Sequence, residues 1–385
     1  MARLGDIGKI VTGNTPKTSE SQNYTSNDIC FVKPSDIADG IVTCLNDSEF
    51  YISEYARAKA RILPPKSVLV TCIGIIGKVA INDVECAFNQ QINAIIPDNS
   101  KCLTEYLAYA IQNKQPEMQD VANAPVVPIL NKTQFSDIEI NLPSLTEQEE
   151  IVEKLNAVSR LIALRKAQLA KLDQLVKSRF IELFGNLVIG DKVDTNKKKI
   201  GEIASVTKLA GFEFTKYIQY KEQGDIIMLR GLNCKKGHLV LDDIKWIDKE
   251  TSDLLPRSKL YYGDILMTYA GTIGDVAMVD ADDKYHLAPN VAKITLNNKK
   301  ACNPVFLMHL FMYTNDYIMT FASVVAQASI NMEKIRNFEY YFPPVEHQNQ
   351  FAAFVEQTDK SKLAIQHSLD KLELLKKSLM QEYFG

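Results

Sequence analysis

The chain repeats itself at an offset of about 200 residues, and this repeat limits its possible folds more than any other feature. The stretch "LDQLVKSRFIELFG" (172–185) recurs as "LELLKKSLMQEYFG" (372–385), with seven identities in fourteen positions. Upstream, "SVLVTCIGIIGKVAI" (67–81) pairs with "DILMTYAGTIGDVAM" (264–278). Because the similarity runs along the whole chain, the 385 residues form two copies of one structural unit.

Each copy contains a globular part followed by a long helix. Short β-branched runs broken by Gly, Pro, Asn and Asp predict a β-rich domain. One short helix interrupts it, at "TEYLAYAIQN" (104–113) and again at "PVFLMHLFMYT" (304–314). The predicted fold class is therefore α+β. The predicted segments are domain 1 (1–143), spacer helix 1 (144–185), a polar linker (186–198), domain 2 (199–343) and spacer helix 2 (344–385).

The two spacer helices carry apolar residues that alternate by four and three positions. This 3.5-residue period is typical of a coiled-coil seam, and Ser144 with Glu147 predicts a capping box at the start of the first helix. Since the linker is short, helix 2 has to run back along helix 1, which predicts an antiparallel pair with two similar domains about a pseudo-twofold axis. The alternative is that each helix packs only on its own domain. The seam residues are Ile151, Leu155, Val158, Ile162, Leu169, Leu172, Val176, Phe351, Val355, Ile365, Leu369, Leu372 and Leu379.

Composition and the absence of catalytic motifs narrow the class of protein. No apolar run approaches 18 residues and the N-terminus lacks a signal-peptide core, which predicts a soluble, cytoplasmic protein. Seven cysteines without a C-x-x-C pair, and five histidines without metal spacing, indicate neither a disulfide framework nor a metal site. G-x-G-x-x-G, G-x-x-x-x-G-K-[ST] and H-E-x-x-H are all missing, so the sequence predicts a non-enzyme.

Paired motifs in a fixed order give the chain a recognisable pattern. A T-x-x-G-x-x-G turn occurs once in each copy, "LPSLTEQEEIVEKL" opens the first spacer helix, and the helices end in "LFG" and "YFG". With these motifs the whole chain closely resembles the specificity (S) subunit of Type I restriction–modification enzymes. The residues predicted to form structural turns are Thr71, Gly74, Gly77, Thr268, Gly271 and Gly274.

The resemblance implies a function and a set of partners. S subunits carry two target-recognition domains on two helical spacers, and they recognise a bipartite site on double-stranded DNA. They hold two DNA methyltransferase (M) subunits, which restriction (R) subunits join. The resemblance implies no catalytic activity in this chain, with S-adenosylmethionine, ATP and magnesium on the partners. Because "KPSDIADGIVTC" and "RGLNCKKGHLVLDD" differ strongly between the copies, the two half-sites should differ too.

Residues that could contact DNA lie on the predicted loops and strand ends. Arg, Lys, Asn and Gln read base edges, whereas Lys and small polar groups hold phosphates. The crowded stretch "LRGLNCKKGHL" (229–239) is the strongest patch, although any single lysine could equally be a solvated surface charge. The DNA-binding residues predicted are Lys17, Lys33, Lys78, Asn89, Gln90, Gln91, Lys216, Arg230, Asn233, Lys235, Lys236, Tyr269, Asn290 and Lys293.

Neither domain is basic, and this bears on how DNA is held. Residues 1–145 carry 12 Lys and Arg against 16 Asp and Glu, and residues 199–343 carry 17 against 17. We therefore expect the isolated chain to bind DNA weakly, with the methyltransferase subunits supplying much of the positive field. Two other functions remain open at this point: an adaptor with two peptide-binding domains on a helical strut, and a single-chain methyltransferase with an appended specificity region.

Overall fold

The computed structural model describes residues 1–122, 127–193, 195–323 and 328–385. The chain divides into two units: unit 1 is Met1–Lys166 with His367–Gly385, and unit 2 is Ala167–Gln366. Unit 1 thus contains domain 1 and unit 2 contains domain 2, each with a part of both long helices.

Domain 1 is built on two main sheets. One has the order β2-β10-β7-β8-β4 and the other β5-β3-β9-β6, while β1 pairs with β11. Its strands are β1 (Ala2–Arg3), β2 (Gly8–Thr12), β3 (Ile29–Val32), β4 (Val42–Leu45), β5 (Tyr51–Ile52), β6 (Ile62–Leu63), β7 (Val68–Thr71), β8 (Val79–Asn82), β9 (Cys86–Phe88), β10 (Ile92–Pro97) and β11 (Glu139–Ile140).

Short helices cover the first sheet of domain 1. The predicted helix at 104–113 is present, and two short helices that the sequence did not predict follow it. On β7, Val68 and Val70 face the core that contains these helices, whereas Leu69 faces the second sheet, so both faces of the strand are buried. The helices are α1 (Leu4–Ile7), α2 (Thr104–Asn113), α3 (Gln115–Val121) and α4 (Lys132–Asp137), with 3-10 turns at Ser21–Tyr24, Pro34–Asp36 and Glu54–Lys59.

The first long helix, α5 (Leu145–Phe184), follows domain 1 and leads into domain 2. Domain 2 repeats the two-sheet plan, with the orders β13-β22-β19-β20 and β17-β14-β21-β18, while β12 pairs with β23. A hairpin, β15-β16, replaces β4 of domain 1. The strands are β12 (Lys197–Lys199), β13 (Ala204–Lys208), β14 (Ile226–Leu229), β15 (Cys234–Lys235), β16 (His238–Leu239), β17 (Lys245–Ile247), β18 (Lys259–Leu260), β19 (Ile265–Thr268), β20 (Val276–Met278), β21 (Tyr285–Leu287), β22 (Val291–Leu296) and β23 (Glu339–Tyr341).

The helices of domain 2 repeat those of domain 1, with two additions. The predicted helix at 304–314 is present and is followed by two short helices, as in the first copy. The helices are α6 (Ile200–Ile203), α7 (Gly211–Tyr217), α8 (Lys249–Asp253), α9 (Pro304–Tyr313), α10 (Asn315–Met319), α11 (Met332–Arg336) and the second long helix α12 (Val345–Phe384), with 3-10 turns at Gly231–Asn233 and Pro256–Ser258.

The long helices run antiparallel within each unit. In unit 1 the Lys154 ammonium donates to the Tyr383 hydroxyl at 3.3 Å, and Lys166 pairs with Glu373 at 2.9 Å. In unit 2 Lys362 pairs with Asp173 at 2.7 Å. All thirteen predicted seam residues are buried or half-buried. The predicted α+β class and antiparallel helix pairing are confirmed.

The end of α5 departs from the predicted seam. Phe180 and Phe184 are buried and contact the rings of Phe306 and Phe351 in the core of unit 2, mostly edge to face. These residues continue from Val176 in steps of four, because here the helix packs on the domain core as well as on the other long helix. At this end α5 therefore packs on the core of domain 2, which is not its own domain, so the alternative that each helix packs only on its own domain does not apply here.

The segment predicted to be a polar linker is partly folded onto unit 2. Leu187 is buried, and its carbonyl accepts the Tyr341 N–H at 2.9 Å. Val188 and Val193 pack on the same core. Apolar residues in an otherwise polar stretch explain why this segment docks.

No helix within the described residues is long and apolar enough to cross a membrane.

Candidate nucleic-acid interface

Parallel pairing in the second sheet of domain 1 brings several loops to one face. β3 and β9 run parallel with Val32 beside Phe88, so their carboxyl ends meet, and the Asn89 N–H donates to the Val32 carbonyl at 3.1 Å. The ends of β2 and β7 join them, since Gly13 and Cys72 donate backbone bonds to Ile92 and Gln91. We call this surface strand-end face 1; it comprises residues 13–17, 33–36, 72–77 and 89–91.

Strand-end face 1 gathers most of the DNA contacts predicted for domain 1. Lys17 and Gln90 are exposed, and the Thr15 hydroxyl donates to Gln90 Oε1 at 2.7 Å. Gln91 is half-buried and accepts a bond from the Asn89 amide at 2.9 Å. Lys33 is half-buried, with its ammonium over the ring of Phe50. The face thus offers several amide and ammonium donors.

Domain 2 forms the same face from equivalent strands. β14 and β21 run parallel with Leu229 beside Leu287, and the Ala288 N–H donates to the Leu229 carbonyl at 3.2 Å. Tyr269 donates its N–H to the carbonyl of Asn290 at 3.0 Å. Strand-end face 2 comprises residues 208–211, 230–233, 269–274 and 288–290.

Strand-end face 2 presents a different set of side chains. Arg230 is held by Asp243, which accepts two bonds from Nη2, one at its backbone carbonyl (2.8 Å) and one at its carboxylate (2.7 Å). Tyr269 is half-buried, and Asn290 is exposed with a φ of +67°. Lys216 is exposed on α7, the helix that begins at this face.

Four predicted DNA contacts are used inside the fold. The Lys78 ammonium donates to the carbonyls of Ile37 (2.9 Å) and Pro34 (3.3 Å), and Asn89 is only 6% exposed. Asn233 is fully buried, and its amide donates to the carbonyls of two neighbouring loop residues. Lys293 is 8% exposed and its ammonium donates to the Lys259 carbonyl, while burial lowers its pKa. Buried groups with internal hydrogen-bond partners cannot reach a base without losing those partners, so their positions favour a structural role.

The patch "LRGLNCKKGHL" is divided between two surfaces. Arg230 lies on strand-end face 2, but Lys235 and Lys236 belong to the hairpin β15-β16. Lys236 has a φ of +49° and Gly237 one of +86°, as a tight two-residue turn requires. The hairpin tip lines a groove of 1210 Å³ in unit 2, together with α9 and the long helices. Adjacent sequence positions therefore serve separate surfaces.

The duplicated turns have the same hydrogen bonds in both copies. The Thr71 hydroxyl donates to the Ile75 carbonyl at 2.5 Å and accepts the Lys78 N–H at 3.0 Å. The Thr268 hydroxyl donates to the Thr272 carbonyl and accepts the Asp275 N–H at 3.0 Å. Both threonines are fully buried, so they shape the turn and cannot themselves touch a ligand. The glycines of both turns have φ values between +80° and +84°.

Sequence reasoning missed several residues of these faces. Thr15 lies shortly after β2 and the exposed Lys208 ends β13, and neither strand was predicted from the sequence, so no signal pointed to these residues. Asp243, which holds Arg230, lies thirteen residues away in sequence and carried no such signal. Phe212, 69% exposed at the start of α7, is also new.

Among the residues that the structure describes, no group of three or more His, Cys, Asp or Glu side chains could hold a metal ion. The buried thiols are equally unsuited to nucleophilic chemistry, since burial raises the pKa of Cys86, Cys234 and Cys302 to about 12.

Comparison with known proteins identifies the family. The family model described as Type I restriction modification DNA specificity domain matches residues 1–174 and 192–375. Since these two matches cover most of the chain, the chain belongs to this family, with one member domain in each copy.

Named relatives agree with this assignment. The chain is 23% identical over 410 residues to the EcoBI specificity subunit of Escherichia coli, covering 99% of this chain and 84% of that subunit. It is 29% identical over 248 residues to the MjaIX specificity subunit of Methanocaldococcus jannaschii, covering 63% of this chain and 55% of that one. The HindI specificity subunit of Haemophilus influenzae is 33% identical over 147 residues, which are 37% of this chain and only 32% of that one.

Solved structures share the fold. The S subunit from M. genitalium superposes with a TM-score of 0.58 at 12% identity, covering 100% of this chain and 95% of that chain. A chain from structural work on the assembly of the type I R-M system superposes with a TM-score of 0.59 at 15% identity, covering 99% and 96%.

Proposed function

We propose that this chain is the DNA-recognition subunit of a Type I restriction–modification system and reads an asymmetric, bipartite target on double-stranded DNA, with one half-site for each domain. The observation that carries the proposal is the pair of strand-end faces. Both are built from equivalent strands, yet they present different side chains to solvent.

The differences occur at equivalent positions, where they bear directly on sequence readout. Lys33 of domain 1 corresponds to Arg230 of domain 2, and Gln91 corresponds to Asn290. Gln90 corresponds to Pro289, which has no amide to donate. Amide and cationic side chains recognise bases through the pattern of donors and acceptors in the major groove. Equivalent backbone positions with different side chains therefore support the recognition of two different half-sites.

Catalysis and cofactors are assigned to partner subunits. The described part of this chain has no group of side chains that could hold a metal ion, and burial raises the pKa of the Cys86 and Cys234 thiols. Because the chain belongs to the specificity-domain family, we infer that methyl transfer from S-adenosylmethionine, and the steps that need ATP and magnesium, belong to the methyltransferase and restriction subunits. This chain contributes recognition and a scaffold for those subunits.

The long helices are the proposed docking surface for the methyltransferase subunits. Large apolar side chains stand exposed on both helices, outside the seam, and exposed apolar residues on a helix favour a partner protein. In unit 1 these are Leu161, Leu164, Leu374 and Leu375, and in unit 2 Leu175, Ile181 and Leu363, each between 44% and 69% exposed.

Methylome sequencing of cells that carry this chain and its partners tests the function. We expect a split motif, and exchange of residues 1–145 for those of a family member with another specificity should change one half of it. Exchange of residues 199–343 is the matched control and should change only the other half. An unchanged motif after either exchange would contradict the proposal and favour the adaptor function.

A further inference from the structure

We propose that Lys33 and Arg230 are the equivalent base-reading residues of the two domains and that each hydrogen-bonds a guanine from the major groove, Lys33 in one half-site and Arg230 in the other. The inference rests on the function proposed above and names the residues that would carry it.

The backbone holds both residues in the same way. Lys33 directly follows β3 and Arg230 directly follows β14, and each begins a 3-10 turn. The Lys33 N–H donates to Asp36 Oδ2 at 2.8 Å, and the Arg230 N–H donates to Asn233 Oδ1 at 3.0 Å. A side chain three residues later therefore fixes each backbone at the carboxyl end of a strand, where the parallel neighbour ends too. Two unrelated surface cations would not share this arrangement.

The side chains are also supported from equivalent places. Phe50, whose ring lies under the Lys33 ammonium, directly precedes β5, and Asp243 lies just before β17. β5 and β17 are the edge strands that pair with β3 and β14. A cation–π contact supports one cation and a carboxylate supports the other, so the position is kept while its chemistry changes.

One nitrogen of the Arg230 guanidinium is available to a further hydrogen-bond acceptor. Its side chain is 20% exposed, Nη2 is bonded to Asp243, and Nε is buried without a hydrogen-bond partner. Nη1, with two N–H donors, makes no hydrogen bond within the described residues. An arginine oriented by a carboxylate loses less side-chain entropy on binding than a free one, which suits a specific contact.

Guanine is the base that matches these donors. Its major-groove edge presents two acceptors, O6 and N7, whereas adenine places an N–H₂ donor beside N7. Arg and Lys have donors only, so adenine at this position would set donor against donor. A phosphate contact would also accept these donors, but it carries no sequence information, and this difference is what the experiment measures.

The test uses the full chain expressed with its methyltransferase partners, with methylome sequencing as the readout. Arg230→Ala should relax one position in one half-site, with discrimination against other bases falling roughly 10- to 100-fold. Lys33→Ala should relax one position in the other half-site. Lys300→Ala and Lys132→Ala are matched controls, since each removes an exposed lysine that lies outside the strand-end face of its own domain, and both should leave the motif sharp.

Each outcome has one reading. If Arg230→Ala lowers methylation at all sites equally and the motif stays sharp, Arg230 contacts phosphate or only holds its loop, and the inference is overturned. If the unaltered chain yields no split motif, the proposed function itself has failed. Should Arg230→Ala not fold, Arg230→Gln keeps a long polar side chain but removes the charge, and its amide matches adenine instead of guanine. It should relax or change the same single position, and a motif that stays sharp in that variant counts against base reading.

Discussion

At the scale of single residues, the two copies serve as controls for each other. His309 in α9 occupies the position of Tyr109 in α2, and both side chains are 5% exposed. The Tyr109 hydroxyl donates to Asn156 Oδ1 at 2.7 Å, whereas His309 Nδ1 lies 2.8 Å from the Val305 carbonyl. Burial lowers the pKa of His309 to about 4, with the carboxylate of Asp359 opposing this effect and the ammonium of Lys362 adding to it. One copy therefore carries a group that takes up a proton in the acidic range, whereas the phenol in the other copy does not, because burial raises its pKa from an already high value.

We expect His309 to make unit 2 sensitive to acid. Because its pKa is lower in the folded state, the unfolded chain takes up a proton first once the pH falls below about 6.5. The free energy of unfolding should therefore decrease between about pH 6.5 and pH 4 and stay constant above that range, with a contribution of up to about 2 kcal/mol at pH 5. His309→Tyr should reduce this loss.

Urea unfolding at pH 7.5 and pH 5, followed by the fluorescence of the single tryptophan Trp246, measures the effect in unit 2. His347→Tyr is the matched control, because His347 is exposed and should leave the pH dependence unchanged. Equal pH dependence in His309→Tyr and the unaltered chain would count against the assignment.

At the scale of elements, the turn between β7 and β8 shows how one motif combines two demands on glycine. Gly74 and Gly77 have φ values of +80° and +84°, a region that L residues enter only at a cost. A Cβ on Gly74 would meet nothing within 4 Å, whereas a Cβ on Gly77 would lie 2.6 Å from Gln115 Cγ and 3.2 Å from Met118 Cε. The second glycine thus also makes room for α3.

We expect Gly77→Ala to destabilise unit 1 more than Gly74→Ala. Both substitutions cost about 1–2 kcal/mol for the left-handed backbone. Gly77→Ala adds about 1–3 kcal/mol for the displaced α3 side chains. Denaturant unfolding of the two variants, with Gly74→Ala as the matched control, gives the difference directly. Equal losses of stability would mean that α3 yields freely and the packing argument is wrong.

The elements also show what a sequence can predict. The long helices were predictable because a 3.5-residue seam needs no tertiary information and because Gly185, with a φ of +62°, stops α5. The packing of Phe180 and Phe184 on the domain core was not predictable, since it depends on where α9 places its aromatic rings. In the same way Lys293 looked free in sequence, yet the strand register turns it inward to the Lys259 carbonyl.

The type of position that forms the candidate site was predictable from the sequence, but not which residues reach that surface. Lys33, Gln91, Arg230 and Asn290 were predicted to lie on loops or strand ends, and parallel pairing brings such positions together. The hairpin that carries Lys236 away from this surface exists in the second copy alone, so the first copy gave no hint of it.

At the scale of the whole molecule, charge limits what the chain can do by itself. Affinity for DNA depends mainly on how many phosphates a protein neutralises, and each such contact steepens the dependence on salt. With 12 basic against 16 acidic residues in 1–145 and 17 against 17 in 199–343, neither domain supplies a strong positive field. Residues that recognise bases on such a surface can discriminate between DNA sequences, but they add little to the overall affinity for DNA.

We therefore expect the isolated chain to bind its target weakly and the complex with methyltransferase subunits to bind it tightly. Fluorescence anisotropy with a labelled duplex, between about 50 and 200 mM salt, should give a shallow salt dependence for the chain and a steeper one for the complex. A duplex with one half-site scrambled is the control, and it should lower the affinity of the complex more than that of the chain. The chain alone could instead bind DNA tightly, with sequence specificity and little dependence on salt. That result would show that the chain needs no positive charge from a partner, and the inference that the methyltransferase subunits supply it would be wrong.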